Sequence, residues 1–158
     1  MARPEIDEIL RDTELLSIVG AINIEWDEIE VALWRVFWDL LGGTWKHSYA
    51  IYYSQQNHRA RREMIESLAL VKLPPDGAKA KRLKALLGRV KRAATKRNEI
   101  SHGVWSYVKT TAGPELWRVP LKKKEPKAGE VDGYSKADLK ALRDQLTKLR
   151  DDLDGFYA

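Results

Sequence analysis

A run of six residues in the second half of the chain, Arg97-Asn98-Glu99-Ile100-Ser101-His102, holds the side chains that phosphodiester chemistry uses. The planar guanidinium of an arginine binds two phosphate oxygens through parallel hydrogen bonds. An imidazole exchanges a proton near neutral pH, which suits general acid or base catalysis. Together these two groups would stabilise charge on a phosphate and move protons while a strand is cleaved.

This run falls at the end of a predicted helix, which fixes the directions of its side chains. Asn98 and His102 are four residues apart and therefore lie at neighbouring positions of one helix face. Arg97 and His102 are five residues apart, about 140° around the helix. Only the length of the arginine side chain would let Arg97 reach a ligand that His102 also contacts. Arg97 also follows Val90 by seven residues, in line with apolar positions. Its charge is therefore expected to be paired, to lie in a cleft or to face a subunit boundary.

The helix that leads to this run is strongly basic. No acidic residue occurs between Asp76 and Glu99, whereas the segment between them contains nine basic residues. Lys84, Lys91 and Asn98 are spaced by seven residues, so they form one line along the helix. Such a line would bind an RNA backbone through its phosphates, with a strong dependence on salt. The alternative is a solvated helix face whose charges are paired with acids elsewhere in the chain.

The run Arg97-Asn98-Glu99-Ile100-Ser101-His102 resembles the motif of the HEPN superfamily, in which an arginine and a polar residue precede a histidine by a few variable positions. The resemblance rests on these six residues and on a predicted helical topology over residues 5–156. It implies a helical bundle that commonly forms homodimers in which two motifs build one composite site. Many members are metal-independent endoribonucleases of toxin–antitoxin, CRISPR-associated or anti-phage defence systems, and other members have no demonstrated nuclease activity.

By the same resemblance, Arg97 would contact and stabilise the scissile phosphate, His102 would transfer a proton, and Asn98 would orient His102 or the phosphate. The implied products carry a 2′,3′-cyclic phosphate, and an antitoxin protein is an implied partner. One alternative is a non-catalytic helical dimer that binds nucleotide, RNA or a partner protein. Another is a purely structural subunit. A further alternative is local, with Arg97 capping helix carbonyls and His102 merely exposed.

Composition excludes several other chemistries. The chain has 158 residues, which predicts one domain, and its 28 basic against 23 acidic residues give a net charge of +5. Because there is no cysteine, disulfides, thiolate catalysis and zinc–thiolate sites are excluded. The three histidines lack the spacing of metal ligands, and no phosphate-binding loop or dinucleotide fingerprint occurs. The sequence therefore predicts neither a metal nor a cofactor.

The termini and the hydropathy pattern predict a soluble, cytoplasmic protein. The first residues, Met-Ala-Arg-Pro-Glu-Ile-Asp-Glu, are charged and lack the apolar region of a signal peptide. No stretch of 18 apolar residues is present, so no membrane span is expected.

Hydrophobic periodicity predicts a mainly α protein. The pattern is that of a mostly antiparallel bundle of about four long helices, with a small β-hairpin before the last helix. Gly103 is expected to end the third helix, and Ser135 with Asp138 is expected to form a capping box at the start of the last one. The predicted boundaries are 4–41, 48–72, 76–102 and 135–156 for the helices, 104–119 for the hairpin, and 121–133 for a mobile connector.

Two further groups of side chains are candidate extensions of an RNA surface. The first group, near one face of the second predicted helix, would continue a path for phosphates or would simply be solvated: Gln55, His58, Arg59 and Arg62. The second group, on the predicted hairpin, would stack on bases or belong to the core: Trp105, Tyr107 and Trp117.

Overall fold

The structure is a computed structural model that describes residues 4–111, 113–120 and 133–156. These residues form six helices and one antiparallel pair of strands, so the predicted mainly α chain with a hairpin before its last helix is confirmed. The elements in chain order are α1 (Ile6–Arg11), α2 (Thr13–Leu41), α3 (Trp45–Ser54), α4 (His58–Lys72), α5 (Ala78–Ser101), β1 (Val104–Thr110), β2 (Gly113–Val119) and α6 (Lys136–Asp154).

Two of the predicted helices are each divided in two, and side-chain caps explain the divisions. The Oδ1 of Asp12 accepts a hydrogen bond from the amide of Leu15 at 3.0 Å, so α2 begins separately from α1. The Oδ1 of Asn57 accepts from the amide of Ala60 at 2.8 Å and starts α4. The second predicted helix is therefore α3 and α4, and α3 begins before residue 48 because Thr44 caps it. The described part of the chain thus has six helices, of which four are long, as predicted: α2, α4, α5 and α6.

The chain forms two compact units, each assembled from two stretches. The first consists of Met1–Ile24 with Ala93–Gln145, and the second of Glu25–Arg92 with Leu146–Ala158. Helices α2, α5 and α6 therefore contribute residues to both units.

The first unit contains the end of α5, the hairpin and the start of α6. Its buried side chains come from every one of these elements and from α2: Leu15, Ile18, Ile22, Ala93, Ile100, Val108, Leu139 and Leu142. The Nζ of Lys136 donates to Asp12 Oδ1 at 3.0 Å and to Glu14 Oε2 at 3.1 Å, which links the first turns of α6 and α2.

The predicted capping box at the start of α6 is confirmed. The amide of Asp138 donates to Ser135 Oγ at 3.2 Å, and the amide of Ser135 donates to Asp138 Oδ2 at 2.9 Å. The predicted connector over residues 121–133 lies outside the described residues except for Gly133.

The second unit buries a stripe along the C-terminal half of α2 and another along the N-terminal half of α5. The buried positions again recur at steps of three and four: Ile29, Leu33, Val36, Leu40, Leu83, Leu87, Val90, Leu146, Leu149 and Leu153. Tyr52 of α3 and Ile65 of α4 are fully buried with them. None of the helices in the described part of the chain is long and apolar enough to cross a bilayer.

Candidate active site

Arg97 lies in the penultimate turn of α5 and is partly buried, as its position in line with apolar residues predicts. Its Nε is buried and has no hydrogen-bond partner in the described structure. Its Nη1 donates to Asn98 Oδ1 over 3.5 Å, which is a long and weak contact. The guanidinium is thus held near the helix surface without a carboxylate partner among the described residues, and its charge stays available to an anion.

Asn98 and His102 are both exposed on the last turn of the same helix. The amide of His102 donates to the carbonyl of Asn98 at 3.0 Å, so the backbone is still helical at this point. No described residue contributes a hydrogen bond or ion pair to the imidazole of His102, and Asn98 does not orient it in this structure. The structure therefore brings Arg97 and Asn98 into contact and leaves His102 accessible beside them on the helix end.

Arg118 of β2, a residue that the sequence did not single out, caps the end of α5. Its Nε donates to the carbonyl of Ile100 at 2.6 Å, and its Nη2 donates to the carbonyl of Ser101 at 3.2 Å. The last carbonyls of a helix lack intrahelical partners and carry partial negative charge, which a guanidinium offsets. The hydrogen bond described for Arg97 goes to Asn98 Oδ1 and not to a carbonyl, so Arg97 does not cap the helix in this structure. His102 is exposed, as the same alternative expects.

Two contacts hold Arg118 in this place. Its guanidinium lies over the ring of Trp105, its cross-strand neighbour, with 4.9 Å between Cζ and the ring centroid. Its backbone pairs with that of Tyr134, with N–O distances of 2.9 and 2.8 Å. Partial burial lowers the pKa of the Arg118 guanidinium, which still remains charged at any physiological pH.

Glu99, the acidic residue inside the motif, is engaged by Tyr134. The hydroxyl of Tyr134 donates to Glu99 Oε2. Burial, together with the hydrogen bond to this carboxylate and its charge, raises the pKa of Tyr134 well above its ordinary value. Glu99 is thus tied to the segment that precedes α6, on the side of α5 away from Arg97.

Gly103 follows the end of α5 at a point where the backbone of β2 passes directly beside it. A Cβ at this position would lie 2.7 Å from the carbonyl oxygen of Val119 and 2.8 Å from that of Glu99. Its φ is not positive, so the close approach requires glycine here and a left-handed conformation does not. The hairpin and the end of the motif helix therefore fit together at backbone contact distance.

The two lysines of the predicted RNA-binding line are exposed on the part of α5 that belongs to the second unit. Other cations of α5 form internal ion pairs, as the solvated-face alternative expects: Arg89 with Asp152 at 2.5 Å and Lys79 with Asp39 at 3.4 Å. Lys84 has no such partner among the residues described. The line of Lys84 and Lys91 therefore stays a prediction.

The cations of the phosphate path predicted on the second helix are paired with carboxylates within the chain. Arg59 contacts Glu63 at 2.7 Å and Arg62 contacts Glu66 at 3.2 Å. His58 Nδ1 lies 2.5 Å from Glu30 Oε1. Charge that is already neutralised by a neighbouring carboxylate attracts a phosphate less strongly.

Glu30 is the centre of a half-buried polar cluster that the sequence analysis missed. Arg61 contacts its second oxygen at 3.2 Å, and the side chain of Glu30 is only 12% exposed. Burial by itself raises the pKa of Glu30, but the hydrogen bonds and charges of His58 and Arg61 outweigh it and hold this pKa below its ordinary value. Glu30 lies 28 residues before His58, so no local spacing in the sequence indicates the pair.

The hairpin aromatics have partners of their own. Trp105 supports Arg118, and the Nε1 of Trp117 donates to Glu115 Oε2 at 3.2 Å. Among the residues that the structure describes, no group of three or more histidine, aspartate or glutamate side chains is arranged to hold a metal ion. Comparisons with protein-family models, with curated proteins and with solved structures found no match for this chain.

Proposed function

We propose that this protein binds RNA and cleaves it as a metal-independent endoribonuclease of the HEPN type. One observation carries the proposal: at the C-terminal end of α5, neither Arg97 nor His102 pairs with a carboxylate among the described residues, while Arg118 takes the helix-end carbonyls. A guanidinium that has no carboxylate partner among the described residues and an exposed imidazole are suited to an anionic substrate. Arginines elsewhere in the chain are paired with carboxylates instead: Arg61 with Glu30 and Arg62 with Glu66.

In the proposed reaction the 2′-oxygen of the substrate attacks the adjacent phosphorus, and the bond from phosphorus to the 5′-oxygen breaks. A base removes the proton of the 2′-hydroxyl and an acid protonates the leaving 5′-oxygen, which gives a 2′,3′-cyclic phosphate and a 5′-hydroxyl. His102 would act as acid or base. Arg97 would offset charge on the phosphate oxygens, and Asn98 would orient the phosphate.

A homodimer follows from the same chemistry. Each motif contributes one imidazole, whereas the reaction takes one proton and returns another. Two motifs brought together would supply a separate imidazole for each transfer, as the resemblance to the HEPN superfamily implies. Exposed aromatic side chains on α2 and α3, at Trp38, Trp45 and Tyr49, offer apolar surface for contact between proteins.

The test is cleavage of single-stranded RNA in the presence of EDTA. We expect products with 2′,3′-cyclic phosphate ends, and we expect a 2′-deoxy nucleotide at the scissile position to block the reaction because it removes the nucleophile. Arg97→Ala and His102→Ala should each lower the rate by about 100-fold or more. His47→Ala, which removes an exposed histidine of α3, is the matched control and should cleave like the native protein.

Circular dichroism must show native helix content in all variants, so that a loss of activity reports the site and not unfolding. Activity that requires added magnesium, or that survives His102→Ala, would contradict the proposal. RNA binding that needs Arg97 but is never followed by cleavage would instead favour the non-catalytic binding module.

A further inference from the structure

We infer that Arg118 is a positioning residue for the motif, a role that rests on the proposed function and extends it. The two carbonyls that Arg118 holds belong to Ile100 and Ser101, the residues directly before His102. Fixing both carbonyls fixes the two peptide planes that lead into the Cα of His102. The position and direction of the Cα–Cβ bond of His102 are therefore set by β2 through Arg118 and by the helix together.

The guanidinium is itself immobilised, which such a role requires. Trp105 supports one face of it, and the paired backbones of Arg118 and Tyr134 hold its strand. A side chain held on several sides loses little further entropy when it forms its hydrogen bonds, so its geometry is preorganised.

Arg118 also offsets the negative partial charge at the end of α5. The C-terminus of a helix carries partial negative charge and repels anions, yet the motif must accept a phosphate there. With its positive charge at 2.6 and 3.2 Å from the terminal carbonyl oxygens, Arg118 offsets that charge next to His102. The residue therefore has two separable effects, one on geometry and one on the approach of an anionic substrate.

Two substitutions separate these effects in the full-length protein. Arg118→Lys keeps the charge but cannot reach two carbonyls as a planar fork, so we expect kcat to fall by about 10- to 100-fold with little change in KM. Arg118→Met removes the charge as well, and we expect KM for an RNA oligonucleotide to rise several-fold in addition. If Arg118 only stabilised the fold, the two variants would not differ in whether kcat alone or both kcat and KM change.

Arg61→Lys is a closely matched control in the other unit. Arg61 also donates its Nε to a helix-end carbonyl, that of Gln55 at 3.0 Å, and its Cζ also lies 4.9 Å from an aromatic ring, that of Tyr53. Arg61 differs in that it also pairs with Glu30 at 3.2 Å. We expect this substitution to lower stability while kcat and KM stay native. Equal kinetic losses in both lysine variants, or native kinetics in Arg118→Lys, would overturn the inference.

A second measurement does not depend on cleavage. The amide of His102 is bonded to Asn98 in the last helical turn, and its hydrogen exchange reports the order of the helix end. We expect faster exchange at this amide in both Arg118 variants and native exchange in Arg61→Lys. If the native protein binds RNA without cleaving it, the proposed function fails. Faster exchange and weaker RNA binding in Arg118→Met would still support the positioning role of Arg118. Unchanged exchange in the Arg118 variants would refute the positioning role by itself.

Discussion

Gly103 offers the sharpest test of how the hairpin fits the motif helix. In Gly103→Ala the new methyl carbon would lie 2.7 Å from Val119 O and 2.8 Å from Glu99 O, whereas carbon–oxygen contacts are comfortable at about 3.3 to 3.6 Å. Both oxygens belong to the backbone, so no side-chain rotation can relieve the overlap. Either β2 or the end of α5 must move.

Overpacking of this kind typically costs about 1 to 3 kcal/mol. For a chain of this size each kcal/mol lowers Tm by about 2 to 4 °C, so Gly103→Ala should melt several degrees below the native protein. Urea denaturation followed by circular dichroism gives the free energy of unfolding, and an unchanged slope against urea concentration would show that the unfolded state is the same.

Gly20→Ala is the matched control, because Gly20 lies inside α2 and an added Cβ would meet no described atom within 4 Å beyond the neighbouring backbone of its own helix. Alanine is a better helix former than glycine, so this variant should gain about 0.5 to 1 kcal/mol. The two substitutions should therefore differ by about 1.5 to 4 kcal/mol and in opposite directions. If Gly103→Ala is as stable as Gly20→Ala, the hairpin does not pack against the helix end as described.

Two further predictions concern charge. Because the pKa of Glu30 is held below its ordinary value, its pairing stabilises the fold above about pH 4.5, and this contribution is lost as the pH falls through the lowered value. The free energy of unfolding should therefore fall less steeply with decreasing pH for Glu30→Gln than for the native protein. Identical slopes would contradict the pairing of Glu30 with His58 and Arg61. Lys84→Glu combined with Lys91→Glu should weaken RNA binding and reduce its salt dependence. The control is the double substitution of two other exposed lysines, Lys46→Glu with Lys148→Glu, which should reduce affinity less. Equal effects of the two double substitutions would show that only net charge matters.

Local patterns in the sequence predicted much of the fold. The end of α5 at Ser101, the hairpin and the capping box of Ser135 with Asp138 all follow from residues close to one another in the chain. The divisions before α2 and α4 were missed because each is made by a single polar residue, Asp12 or Asn57, whose side chain starts a new helix. A cap acts through one hydrogen bond, which a search for periodicity does not register.

For the candidate site, the sequence predicted the motif residues but not what holds them. Arg118 reaches the carbonyl of Ile100 from 18 residues away, and Tyr134 reaches Glu99 from 35 residues away. Neither contact has a spacing that a helix or strand would impose. The ionic cluster of Glu30 was missed for the same reason, since His58 lies on a different helix.

The interleaving of the two units along the chain has a consequence for synthesis and for fragment design. Because each unit needs one early stretch and one late stretch, no single truncation point isolates either unit from the other. On the ribosome, Met1–Ile24 must wait for Ala93–Gln145 to emerge before its unit can form. The second unit then waits for residues beyond Gln145, so both units are completed only when α6 leaves the exit tunnel.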